Sequence, residues 1–149
     1  MHCHATPSLA PLVLELAEKF RIPAVRVPAE PLSYRGARER FSPGRFVEKT
    51  LLNLACRRQM KTWRGRLRVP SAFYGFMDGG DLSARSIETV ARRVAPGTTE
   101  LMTHPGLSDD DSPYRSPYLW RRDLEALLAH SREDFEARFG VRLVSYRDL

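Results

Sequence analysis

Helical segments and short β-like runs alternate along the chain, which predicts an α/β fold with a mostly parallel sheet. Three observations carry this. Apolar residues recur at helical spacing in four or five segments, most of which open on Ser. Between them lie the runs "PAVRVP", "RVPSAFYG", "TELMTH" and "VRLVSY". The balance of 42% apolar to 28% charged residues over 149 positions is that of one globular domain.

The elements follow in order. Ser8 is placed to cap a helix running to about Phe20, with Leu9, Leu12, Val13, Leu16 and Phe20 on one face. Ser42 and Pro43 open a second helix, whose apolar stripe is Val47, Leu51, Leu54 and Ala55. A third starts at Ser83, buries Ile87, Val90, Ala91 and Val94, and stops at Pro96-Gly97. Ser116 and Pro117 open a fourth, with Trp120, Leu124, Leu127 and Leu128 turned inward. Ser131 opens a shorter fifth, closed by Gly140. The chain thus begins with a helix that no strand precedes, and only four strands are available. It reads as the second half of a fold, a single partial domain over residues 1–149.

Composition narrows the function classes. No apolar run reaches 18 residues, so no transmembrane segment is expected. The first apolar stretch carries Glu15 and Glu18 and lacks a basic start, unlike a signal peptide. Two cysteines, Cys3 and Cys56, make no disulfide framework, which points to a reducing cytoplasm. The net charge is +6, but 21 of the 24 basic residues are Arg and they are spread along the chain. That is a solvated surface, so no nucleic-acid partner is expected.

Several site types are missing: there is no G-x-S-x-G, P-loop, G-x-G-x-x-G or C-x-x-C. What remains is histidine. In an extended "MHCHATP", His2 and His4 face one way and Cys3 the other. Such a pair either contributes to a divalent-metal site or belongs to a loose polar end. His104 is held extended by Pro105 at the end of "TELMTHPG", and Gly106 lets the chain turn away. In a parallel sheet that is where ligands gather, so His104 is either a general acid or ligand there, or a strand-end residue holding a loop. Arg26, charged among apolar neighbours, requires an anionic or polar partner. Tyr74 also sits in a strand candidate near that edge. Asp109, Asp110 and Asp111 read as a solvated loop, "FMDGGDL" as turn chemistry, and His130 as a favourable charge at a helix end.

Together, "MHCHATPSLAPLVLELAEKFRIPAVRVPAEP", "SAFYG", "LMTHPG" and "RLVSYRDL" resemble, in order and spacing, the YdjC-like carbohydrate deacetylases. "AVRVPAEP" leans towards the hopanoid-biosynthesis branch. The resemblance implies the C-terminal half of a barrel-like α/β hydrolase that deacetylates N-acetylated amino sugars, here an amino sugar or a glycolipid such as a glycosylated hopanoid. It implies a divalent metal, Mg or Zn, whose main ligands belong to motifs placed before residue 1. His2 would lie near that metal and orient its ligands, His104 would be the catalytic acid, and Arg26 and Tyr74 would hold substrate. The chain by itself would then be inactive and would self-associate through an exposed sheet edge. Its place would be cytoplasmic, at most peripheral to the inner membrane. Two other readings stand beside this one. The chain is an inactive remnant that binds sugar or a partner, or it is an Arg-rich surface for nucleic acid or membrane.

Overall fold

The computed structural model describes residues 5–37, 42–107 and 118–149, the side chains of 57–60 apart. Helices α1 (Ala10–Lys19), α2 (Pro43–Trp63), α3 (Ala84–Ala91), α4 (Trp120–Leu128) and α5 (Arg132–Phe139) accompany a small sheet, and a 3-10 turn follows at Tyr146–Asp148. The fold is α/β. Strand β1 (Ala72–Tyr74) pairs in parallel with β2 (Thr99–Leu101), with Ala72 opposite Thr99 and Tyr74 opposite Leu101.

Only two of the four expected strands form among the described residues. "PAVRVP" contributes one parallel bridge, Ala24 to Arg68. Pro70 has no N–H to give, so that bridge and β1 remain separate pieces of one extended run. "VRLVSY" joins no ladder. Its Leu143 N–H donates to the Glu136 carboxylate at 2.6 Å, and its Leu143 carbonyl accepts from Arg132 at 2.6 Å. Side chains of α5 thus take the bonds that a neighbouring strand would take.

Local signals set most helix ends. Ser83 forms a reciprocal cap with Ser86, Ser131 accepts from Asp134 N–H, and Gly140 closes α5 with a left-handed φ of 63°. Ser42 accepts from Arg45 N–H at 3.4 Å. Ser8 does not cap α1: Leu9 holds that position without a side-chain bond, and Pro11 occupies the first turn. The Ser116-Pro117 start lies outside the described residues, and α4 is seen from Trp120.

The buried faces of the first two helices differ from the expected ones. On α1, Ala10, Leu14 and Ala17 are buried, while Leu9, Leu12, Leu16 and Phe20 are exposed. The helix is apolar nearly all round, and its small-residue side admits the closest approach of Cys56 and Trp63 from α2. On α2, Val47, Leu51 and Leu54 point outward and Lys49, Cys56 and Trp63 are buried. Lys49 donates to the Pro31 and Tyr34 carbonyls, and Asn53 to the Glu30 carbonyl. These bonds decide which way α2 faces. On α3, Ile87, Val90 and Ala91 are buried as expected, with Val94 left on the surface beyond the helix end. On α4 the fully buried positions are Asp123 and Ala126. Trp120 and Leu124 are half-buried, and Leu127 and Leu128 are exposed.

A polar network sets where β1 ends. The Glu30 side chain has no solvent exposure and accepts from the N–H groups of Gly75 at 2.9 Å, Phe76 at 3.1 Å and Met77 at 3.3 Å. Lys49 Nζ lies 3.6 Å from the other side of the carboxylate. Gly75 holds φ at +104°, and a Cβ there would overlap the Met102 carbonyl oxygen. Only glycine lets the chain leave the sheet at this point. Asp78, also fully buried, accepts from the Tyr34 hydroxyl and from Ala37 N–H, and Arg45 donates to the carbonyls of Phe76, Met77 and Gly79. The loop after β1 is therefore fixed from several sides.

Burial pushes the Glu30 carboxyl up from its ordinary 4.5 to about 7, against the pull of Lys49 and the three N–H groups. Between those values the folded chain holds a proton that the unfolded chain has lost. Stability from this group is greatest below pH 4.5 and declines as pH rises towards 7. Urea melts across that window should show the decline, and Glu30→Gln should flatten it. Glu30→Ala, which strands Lys49 and three amides, should cost about 3–5 kcal/mol. The exposed apolar rows yield a different expectation. Leu51→Lys with Leu54→Lys should cost less than about 0.5 kcal/mol per site and raise the concentration at which light scattering detects self-association.

Candidate active site

The site is built where β1 and β2 end. Past β2 the ladder continues for one bond, Met102 N–H to the Tyr74 carbonyl at 2.9 Å. The chain then runs through Thr103 to His104, Pro105 and Gly106. His104 N–H has no strand opposite, because β1 has turned away at Gly75. It donates instead to Asp123 Oδ2 at 2.9 Å, while Asp123 Oδ1 accepts from Leu82 N–H at 2.7 Å.

The His104 ring meets the Tyr118 ring edge-on, with centroids 4.7 Å apart. Its Nδ1 is buried and has no hydrogen-bond partner among the described residues. Burial holds the imidazole below its ordinary pKa. Asp123 pulls it upward, and the charges of Arg26 and Arg45 push it further down. At neutral pH the ring is uncharged, and once protonated it is a stronger acid than free histidine.

Arg26 finds its partner inside the protein. Its guanidinium pairs with Glu100 Oε1 at 2.5 Å and lies over the Phe73 ring at 5.8 Å. Glu100 Oε2 also accepts from the Tyr146 hydroxyl at 2.6 Å. The anion that Arg26 requires is thus supplied by β2, and its side chain stays 37% exposed. Tyr74 does not share this face. It is 5% exposed and packs at 85° against Tyr34, in a cluster with Met77 and Val90. Burial raises its phenol pKa, and its position is that of a core residue rather than of a group open to a ligand. Alternation along β1 explains the difference: Phe73 and Tyr74 project to opposite faces of the sheet.

His2, His4 and the Asp109–Asp111 run lie outside the described residues. His130 follows α4 and sits 3.8 Å from Glu88, away from His104. A separate open groove of about 1630 Å³ runs between the sheet, α3, α5 and the C-terminal segment, past Leu67, Ile87, Glu100, Phe139 and Leu143. His104, Arg26 and Tyr74 do not line it. Among the described residues, no three His, Cys, Asp or Glu side chains come together to hold a metal ion.

The arrangement can therefore hold and move a proton at one imidazole, beside a guanidinium with a neutralising partner. Asp123, Tyr118 and the Glu30–Lys49 pair were not among the residues singled out from sequence. Their signals are weak, since Asp123 stands in a charge-rich helical run and Glu30 between Ala and Pro.

No curated protein and no solved structure matches the chain. A family model described as YdjC-like protein matches residues 1–137. That span takes in the Arg26 segment, both strands, His104 and Asp123. The chain belongs to the YdjC-like family.

Proposed function

We propose that this chain contributes the proton donor, His104, to the deacetylation of N-acetylated amino sugars. The family is one of carbohydrate deacetylases, so the reaction class is hydrolysis of an acetyl amide. One observation supports His104 most: its imidazole is fixed at the end of β2 with a buried Nδ1 that no described residue satisfies. An amide nitrogen leaves as an amine only if it is protonated, and a positioned imidazolium supplies that proton. The depressed pKa makes the imidazolium the readier donor, and it requires that the ring first receive its proton during the reaction.

The finer reading follows the resemblance. Its substrate is an amino sugar or a glycolipid of the glycosylated-hopanoid type, and its cofactor a divalent ion, Mg or Zn. Such an ion would supply a bound water of lowered pKa and polarise the acetyl carbonyl. The described residues do not offer a donor set for it, and His2 lies outside them. Arg26 keeps part of its guanidinium open to solvent and can meet a sugar hydroxyl while paired to Glu100. A second reading, for the chain taken alone, is that of a sugar- or partner-binding module without catalysis.

Two assays separate these readings. Alone, the chain should release no acetate from N-acetylglucosamine oligomers with any divalent ion, because a proton donor cannot by itself generate the nucleophile. Joined to a segment bearing the family's motifs for the main metal ligands, it should become active. In that joined protein His104→Ala should lower kcat by about 10²–10⁴-fold, with bound metal unchanged. Metal lost together with activity would make His104 a ligand. Full activity in the variant would leave it a strand-end residue that holds a loop.

A further inference from the structure

We infer that Asp123 is the positioning residue of this site: its carboxylate replaces the strand that β1 no longer provides, and so fixes the His104 backbone and sets a negative charge beside the imidazole. The inference rests on the reading of His104 as proton donor.

The geometry begins with the ladder. In a parallel pair, successive bonds fall two residues apart, so after Met102 N–H to Tyr74 the next would join His104 N–H to the Phe76 carbonyl. Both ends of that missing bond are satisfied separately. Arg45 takes the Phe76 carbonyl at 3.3 Å, and Asp123 takes the His104 N–H at 2.9 Å.

Asp123 reaches there because the start of α4 is fastened to both loops. Leu119 N–H donates to the Gly80 carbonyl at 2.7 Å, and Gly106 N–H to the Trp120 carbonyl at 3.1 Å. Gly80 lies against the Tyr118 ring, which a Cβ at that position would overlap. The same Tyr118 ring meets His104. The Leu82 amide, on the second oxygen of Asp123, ties the β1 loop to the same carboxylate.

The choice of a carboxylate is informative. Asp123 is fully buried, and no cationic side chain pairs with it among the described residues. Its two bonds are to backbone N–H groups, one on each oxygen, a pattern that a carboxylate accepts and an amide, with one oxygen and one NH2, does not. Burying that charge is costly, and its field reaches the His104 ring. Among the described residues, the charged groups that act on His104 are Asp123 on one side and Arg26 and Arg45 on the other. Asp123 is the one among them that favours the imidazolium.

The test reads the full chain by NMR, with no catalysis needed. His104 ring resonances are titrated in the natural sequence and in Asp123→Asn. The expected result is a His104 pKa lower by about 1 in the variant, with faster amide exchange at His104 or Leu82. A variant that alters exchange but leaves the titration unchanged makes Asp123 purely structural and overturns the inference. Should Asp123→Asn not fold, Asp123→Ser takes its place, since it also removes the charge: the His104 pKa should again fall by about 1, and an unchanged titration overturns the inference. Full activity of His104→Ala in the joined protein would remove the donor role of His104 and leave this titration standing, so the two failures are distinguishable.

Discussion

Where β1 ends, three consecutive amides lose the prospect of a ladder partner at once, and the Glu30 carboxylate takes all three. Much of the site depends on that capture. It turns the chain at Gly75, and the loop then presents Asp78 to Tyr34 and Ala37, three carbonyls to Arg45, and Gly80 to the start of α4. A carboxylate with no exposure is expensive to bury, and Lys49 beside it offsets part of the cost. Lys49 belongs to α2, so that helix is docked on the 30–34 segment through a charge and two carbonyls rather than through its apolar row. That is why Val47, Leu51 and Leu54 face outward.

The features legible in sequence are those decided locally. Ser83, Ser131 and Gly140 bound their helices because a cap is a contact of three or four residues. The strands in "SAFYG" and "TELMTH" form where alternation and Gly or Pro marked them, and His104 stands at the strand end that His-Pro-Gly implied. The buried faces of α1 and α2 were not legible. Both helices carry apolar residues on more than one side, and the decision came from Lys49 and Asn53 bonding to carbonyls at 30, 31 and 34. "VRLVSY" has real alternation, yet Glu136 and Arg132 satisfy the Leu143 backbone before any strand does. Asp123 was hidden for a similar reason. In "WRRDLEALL" it is one of several charges at helical spacing, and nothing nearby in sequence marks it as the buried one.

The Arg26 charge shows how a local reading can be sound while its assigned partner changes. A guanidinium in an apolar strand does require an anion, but Glu100 on the neighbouring strand supplies it. Glu100 then holds the Tyr146 hydroxyl, whose pKa is raised by burial and by that bond. One carboxylate thus joins the 23–27 segment, β2 and the C-terminal turn. The residues beyond 137, outside the family match, are held to the sheet by a tyrosine instead of a ladder.

The two strand ends of the sheet are therefore capped by the same device with opposite electrostatic consequences. Glu30 caps the departing chain after β1, and a cation, Lys49, stands 3.6 Å from its carboxylate. Asp123 caps β2 with two amides and no cation, so its charge is available to the nearest titratable group, the His104 ring. Arg26, half-neutralised by Glu100, and Arg45, spread over three carbonyls, oppose it only in part. Burial keeps the resting imidazole neutral, and the uncompensated carboxylate eases the arrival of a proton. A ring that must take up a proton and then surrender it is best served by that balance. Here it is set by a residue on α4 that bonds to the histidine's backbone.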